Sequence, residues 1–319
     1  MKVLVTRELP PSTQKFLEEQ SLELIQWKKD CAMPRDELLN SVKGVDAIFC
    51  LLTDKIDKTL LDAAGPQLKV VSTMSVGFDH LDIDELKARN IQMGYTPDCL
   101  TDATADLTIL LLLSAARRIK EGIRAAEQGE WREWRPNWLL GTQFSGKTLG
   151  VVGLGRIGQA VAHRLKAFGI TRILYYGRSR KLQAETDIGA EFSSFDDLLK
   201  HSDYITICSA LTPETQDMFD YTAFSKMKPT AVFVNTSRGG VVKQDDLVRA
   251  LEDGKVGAVG LDVCTPEPLP TDHKLYQFSN CIVLPHIGSA TLETREKMAS
   301  MALDNILAVI NGQPIPFGI

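Results

Sequence analysis

The sequence predicts an α/β protein with two doubly wound parallel-sheet units in one chain, and three observations point there. Short β-branched apolar runs alternate with amphipathic helical stretches from the N-terminus, and the alternation restarts near residue 148. The 319 residues give room for about two domains of ~150 residues, each able to bury a core. The composition, 44% hydrophobic and 24% charged with Gly 23 and Pro 14, is that of a globular chain rather than a disordered, collagen-like or coiled-coil one.

In order, Lys2–Thr6 reads as a strand, Ser12–Glu19 as a helix and Leu22–Trp27 as a strand. Pro34–Ser41 reads as a helix opened by proline, Asp46–Leu51 as a strand, and Asp57–Ala64 as a helix stopped by Gly65-Pro66. Leu68–Thr73 is a strand, Asp82–Arg89 a helix and Ile91–Met93 a strand. Such alternation requires right-handed crossovers and a parallel sheet. The chain switches units near Pro97–Thr101, and one long helix is expected from Ala103 to Gln128, ended by Gly129. Trp131, Trp134 and Trp138 follow. Strands then recur at Thr148–Val152, Arg172–Tyr176, Tyr204–Cys208, Ala231–Asn235, Val256–Asp262 and Ile282–Leu284, before a last helix, Leu292–Ile310.

The net charge of −5 argues against a nucleic-acid or anionic-membrane binder. Six cysteines are spread singly with no CxxC, which reads as reduced thiols and neither a disulfide frame nor a metal site. The most apolar segment, Leu107 to Ala116, is half the length of a membrane span, and the N-terminal apolar run is too short for a signal peptide. A cytoplasmic setting is expected.

Gly153-Leu-Gly155-Arg156-Ile157-Gly158 follows one strand and opens a helix. In a dinucleotide site the first glycine makes the tight turn, the second admits the pyrophosphate and the third lets helix and strand pack. Upstream, Gly141-Thr-Gln-Phe-Ser-Gly146-Lys147-Thr148 satisfies the P-loop pattern but runs into a strand, the reverse of a working P-loop. After strand Arg172–Tyr176 an NAD site would place an acid for the ribose 2′-hydroxyl. Here stand Gly177-Arg178-Ser179-Arg180-Lys181, with no acid before Glu185. Arginines and a serine suit a 2′-phosphate, so the expected cofactor is NADP(H).

Arg238, Glu267 and His286 each lie just past the end of a later strand, at the edge where open parallel sheets bind ligands. Alone they would read as a surface Arg, a loop Glu and a buried His; together they suggest one site. His163 and His201 read as helix-surface residues. The Asn235-Thr-Ser237 sequon sits at a strand end and is given no role.

With these residues in place, the whole chain resembles the D-isomer-specific 2-hydroxyacid dehydrogenase family, and within it the NADP-dependent glyoxylate/hydroxypyruvate reductase branch. The resemblance rests on Ser75-Val76-Gly77-Phe-Asp-His80, the glycine loop, Met227-Lys-Pro-Thr with Asn235-Thr236-Ser-Arg238-Gly, Leu261-Asp262-Val with Pro266-Glu267-Pro, and Pro285-His286-Ile-Gly288-Ser289. Met74-Ser75-Val76, Gly177-Arg178 and the tryptophan loop point to the branch. Asp106, where Glu is common, and Lys243, where an acid or Asn is usual, depart from the pattern without touching the chemistry.

The resemblance implies a Rossmann cofactor domain, about 100–291, inserted in a flavodoxin-like substrate domain, 1–99 with 292–319. It implies a homodimer built around the long helix and the tryptophan loop, with Trp138 reaching the partner's active site. It assigns the Val76 and Gly77 backbone to the substrate carboxylate, Asp262 to the nicotinamide amide, Ser209 and Thr236 to the cofactor, and Gly288 and Ser289 to the site lining. Reduction of a small 2-keto acid leaves an alkoxide that needs a proton. Physically, His286 fits a general acid because a nearby carboxylate, Glu267, favours imidazolium. Arg238 fits the substrate carboxylate and ketone. No metal is called for. The rival readings are an NAD-dependent phosphoglycerate or D-lactate dehydrogenase and, in another class, a nucleotide-sensing corepressor-like binder.

Overall fold

The computed structural model describes residues 1–29 and 31–319. The chain forms two compact units, one of Met1–Leu100 with Ser289–Ile319 and one of Thr101–Gly288.

The first unit runs β1 (Lys2–Val5), α1 (Pro11–Glu18), β2 (Glu23–Gln26), α2 (Arg35–Ser41), β3 (Ala47–Cys50), α3 (Lys58–Ala64), β4 (Val70–Thr73), α4 (Ile83–Ala88) and β5 (Gln92–Gly94). Its sheet is parallel in the order β2-β1-β3-β4-β5, the flavodoxin-like arrangement. Every residue of β3 and β4 is buried, as expected when helices cover both faces. Asp57 caps α3 by accepting from Leu60 N–H at 3.1 Å.

The second unit opens with α5 (Thr101–Ala116) and α6 (Ile119–Glu127). It continues as β6 (Thr148–Val152), α7 (Arg156–Ala167), β7 (Arg172–Tyr176), α8 (Leu182–Ile188), β8 (Ala190–Phe192), α9 (Phe195–His201), β9 (Tyr204–Ile207) and α10 (Tyr221–Lys226). Then come β10 (Val232–Asn235), α11 (Gln244–Glu252), β11 (Ala258–Leu261), α12 (Lys274–Gln277) and β12 (Cys281–Val283), before α13 (Leu292–Ile310) returns the chain to the first unit. The sheet order is β12-β11-β10-β9-β6-β7-β8, the dinucleotide-binding order with one added strand. One face is filled by Phe219, Phe224 and Phe233, the other by Val151, Leu165 and Tyr175.

Two elements differ from expectation. The long helix is two helices. Arg118 takes the left-handed conformation (φ 54°), and Ala116 O accepts the Thr142 N–H at 3.0 Å from a chain segment returning across the helix end. A close approach at Gly141, where a Cβ would lie 2.3 Å from Ala116 O, makes that return possible. Strand β8 was not foreseen; three residues, Ala-Glu-Phe, carry too little pattern.

Candidate functional site

The glycine loop between β6 and α7 does what its spacing demands. Gly153 sits at φ 95°, and a Cβ there would lie 2.6 Å from Ser209 N. At Gly158 a Cβ would lie 2.4 Å from Gly153 O, so the helix packs on the strand only without one. Gly155 faces open space, which leaves room for a pyrophosphate, and Arg156 and Ile157 form the first turn of α7. Beside the loop, Ser209 Oγ is buried with no partner among the described residues. An orphaned hydroxyl facing a cradle open only at Gly155 fits a dinucleotide.

A cleft of ≈ 300 Å³ extends from this loop, lined by Gly153, Gly155, Tyr176, Arg178, Ser179, Lys181, Ser209, Thr212 and Glu214 among others. Arg178 and Glu214 both line it, and the Arg178 charge helps hold the Glu214 carboxyl below its ordinary value, after the Thr212 hydroxyl and the Glu214 backbone N–H. Arg180, expected to share the anion, is committed elsewhere: its Nε donates to Glu185 Oε1 at 3.0 Å, and Tyr175 OH donates to the same oxygen at 2.6 Å. The first acid downstream thus consumes one of the two arginines. Lys181 closes the basic run read from sequence, while Thr212 and Glu214 carry no such signal beyond following β9 at the ligand-binding edge. Cys208 lines the cleft too, and burial pushes its thiol up to about 12, so it stays protonated.

Thr236, Arg238, Glu267, Asp262, His286 and Gly288 gather past the ends of β10, β11 and β12. Buried Asn235 shapes the first turn: its Oδ1 accepts from Ser237 N at 3.0 Å and its Nδ2 donates to Arg238 O at 2.9 Å. Thr236 Oγ1 lies 2.7 Å from Thr108 Oγ1. Gly239 then meets the next loop so closely that a Cβ would lie 2.0 Å from Cys264 O. In that loop Cys264 N–H donates to Glu267 Oε1 at 2.9 Å, while Glu267 Oε2 lies 2.8 Å from His286 Nδ1. With Nδ1 on the carboxylate, Nε2 is the nitrogen left for chemistry.

Asp262 secures the histidine loop. Its carbonyl accepts from His286 N at 2.9 Å, Oδ1 from Ile287 N at 2.8 Å and Oδ2 from Gly288 N at 2.7 Å. Each carboxylate oxygen thereby accepts one loop N–H and keeps a second lone pair, so Asp262 holds the histidine loop without being used up by it. Burial raises the Asp262 carboxyl above its ordinary value, against the pull of the two loop N–H groups and the nearby His286. For Glu267, burial works upward, but the His286 hydrogen bond and charge, the Cys264 N–H and Arg238 together hold it below the usual glutamate range.

In the first unit, the loop after β4 carries Val76 and Gly77. Ser75 Oγ donates to Gly77 O at 2.7 Å and lies 2.8 Å from Thr73 Oγ1, which lies 2.9 Å from His80 Nε2. Among the described residues no acceptor takes the Val76 or Gly77 N–H. Ser289 is half-buried in this unit. Trp138, half-buried in the second unit, has the Arg135 guanidinium 3.8 Å over its ring. His163 and His201 are exposed. Asp106 pairs with Arg164 Nε at 3.0 Å and Lys243 with Asp246 at 3.2 Å. The Gly146-Lys147-Thr148 segment leads directly into β6, so no helix N-terminus meets it. Among the described residues no helix is long and apolar enough to cross a membrane, and no His/Cys/Asp/Glu group could hold a metal ion.

A dinucleotide-binding sheet with a histidine–glutamate pair at its ligand edge defines a nicotinamide-linked oxidoreductase. Residues 109–288 match the model of the D-isomer specific 2-hydroxyacid dehydrogenase NAD binding domain. Over 317 residues the chain is 50% identical to a glyoxylate reductase/hydroxypyruvate reductase from Homo sapiens, covering 99% of this chain and 97% of that one. A glyoxylate reductase from Thermococcus litoralis is 46% identical, with 99% and 95% covered. The solved structure of an NADPH-dependent glyoxylate/hydroxypyruvate reductase from Sinorhizobium meliloti, in complex with NADP and malonate, superposes with a TM-score of 0.86 at 29% identity, covering 100% and 96%. The chain belongs to the D-isomer specific 2-hydroxyacid dehydrogenase family.

Proposed function

We propose that this protein reduces small 2-keto acids with NADPH, glyoxylate to glycolate and hydroxypyruvate to D-glycerate. The observation that carries the reading is the 2.8 Å contact of His286 Nδ1 with Glu267, on loops tied to the one that presents Arg238. The relatives' printed activities give the substrate class. Bound in the glycine-loop cleft, the reduced nicotinamide supplies the hydride. His286 Nε2 gives the proton to the developing alkoxide, and Glu267 favours the imidazolium that carries it. Arg238, with its planar fork, binds the substrate carboxylate and polarises the ketone. The family resemblance adds the Val76 and Gly77 backbone, Ser289 and Trp138 to the substrate set. In the reverse direction the neutral imidazole is the base.

Residues 1–99 and 292–319 are accordingly the substrate-binding domain and 100–291 the NADP-binding domain. Gly153, Gly155, Arg156, Ile157, Gly158, Ser209 and Thr236 hold the dinucleotide, with Gly288 nearby. Arg178 and Ser179 receive the 2′-phosphate; their place in the lining of the glycine-loop cleft supports this choice. The working form is a homodimer, and the free cysteines suit the cytoplasm.

A spectrophotometric panel tests the reading: NADPH or NADH against glyoxylate, hydroxypyruvate, pyruvate and 3-phosphohydroxypyruvate. NADPH with the first two is expected to dominate, and preference for NADH with either of the others overturns it. Arg178→Ala should weaken NADPH binding by about tenfold, the worth of one charge-assisted contact at a solvated rim, and spare NADH. Equal loss for both cofactors would remove Arg178 from the phosphate site.

A further inference from the structure

We infer that Gln244 is a positioning residue for the Glu267–His286 pair, acting through the backbone of Thr265; this rests on the acid–base reading above. Gln244 is the first residue of α11 and turns its amide onto the neighbouring loop. Its Oε1 accepts the Thr265 N–H at 2.9 Å, and its Nε2 donates to Thr265 O at 2.6 Å. One side chain thereby holds both polar groups of a single residue, as a paired strand would. His273 Nε2 stands 3.3 Å from the same amide nitrogen.

Thr265 lies two residues before Glu267. Thr265 through Pro268 are exposed and form no helix or strand, so this stretch has little burial to fix it. On one side Gly239 abuts Cys264 O, and Cys264 N–H anchors Glu267 Oε1. The amide of Gln244 is the clamp on the next residue, between that anchor and the catalytic carboxylate. Gln alone suits the task. Glu offers acceptors but no donor for Thr265 O, Met offers neither, and Asn is one methylene short.

Gln244→Met and Gln244→Glu in the full-length protein test the role. Expected in Gln244→Met is a kcat lower by about 5- to 10-fold, with the keto-acid KM and NADPH affinity near wild type and a melting temperature lower by only a few degrees, the cost of one to two net hydrogen bonds. Gln244→Glu, which keeps one of the two bonds, should fall between. In a Glu267→Gln background Gln244→Met should cost nothing further, because the clamp has no carboxylate left to aim. The His286 ring resonances, followed by NMR at fixed pH, should move in Gln244→Met toward those of Glu267→Gln. An unchanged kcat, or an equal loss in the Glu267→Gln background, overturns the role. If the wild type reduces no keto acid, the functional reading fails on its own, and the ring resonances still decide the clamp: movement supports it and no movement overturns it.

Discussion

His286 holds a left-handed backbone conformation, φ 55°, uncommon for a residue with a Cβ. Three Asp262 acceptors hold that loop, and strain kept in place by a local network is a mark of a functional position. Asn tolerates the left-handed region, so His286→Asn removes the imidazole without a backbone penalty. Its kcat should fall by roughly 10²–10⁴, the usual worth of a positioned general acid, with NADPH affinity nearly intact. Near-normal turnover would take His286 out of the mechanism. Arg238→Lys keeps the charge but loses the fork that matches a carboxylate. A raised keto-acid KM and a lower kcat are expected, and wild-type kinetics in that variant would disprove bidentate binding.

At the scale of elements, what could be read from sequence was whatever depends on local spacing. The glycine loop was legible because turn, approach and packing each demand a missing Cβ at a fixed place. The Arg238, Glu267 and His286 loops were legible because each follows a short apolar strand of the parallel sheet. Contacts set by distant chain were not legible. The helix break at Arg118 depends on Thr142, and the loss of Arg180 from the cleft depends on how Tyr175 and Glu185 meet. The work of Asp262 depends on a loop some 25 residues away. That work is testable. Asn at 262 would present an amide NH₂ to one of two N–H groups that now share a carboxylate, stranding a buried donor. Asp262→Asn should lose about 1–3 kcal/mol of stability, read by denaturant unfolding, and lower kcat as the His286 loop loosens. An unchanged midpoint with unchanged kcat would show that the loop holds its shape without the second oxygen.

The whole molecule leaves one feature that a lone chain does not explain. Leu110, Ile119, Ile123, Trp131, Trp134 and Leu140 are all exposed, Trp134 by 83% and Trp131 by 68%. Single exposed apolar residues are ordinary, but these come from one stretch of the second unit. The tryptophan loop folds back on the two helices: Thr142 N–H bonds to Ala116 O, and a Cβ on Gly122 would lie 3.9 Å from Leu139 Cδ1. Exposed aromatic rings beside arginines have the composition of an interface core, which supports the proposed homodimer. Light scattering should give about twice the 35.3 kDa chain mass. Ile123→Asp with Trp134→Ser places a charge and a hydroxyl in that surface and should yield monomers with an unchanged melting profile for the cofactor-bound second unit. If Trp138 serves the partner's substrate site, those monomers should show a raised keto-acid KM with NADPH affinity retained, and Trp138→Ala in the intact dimer should show the same. A monomeric variant with wild-type KM and kcat would confine the surface to assembly and leave each chain's site complete in itself.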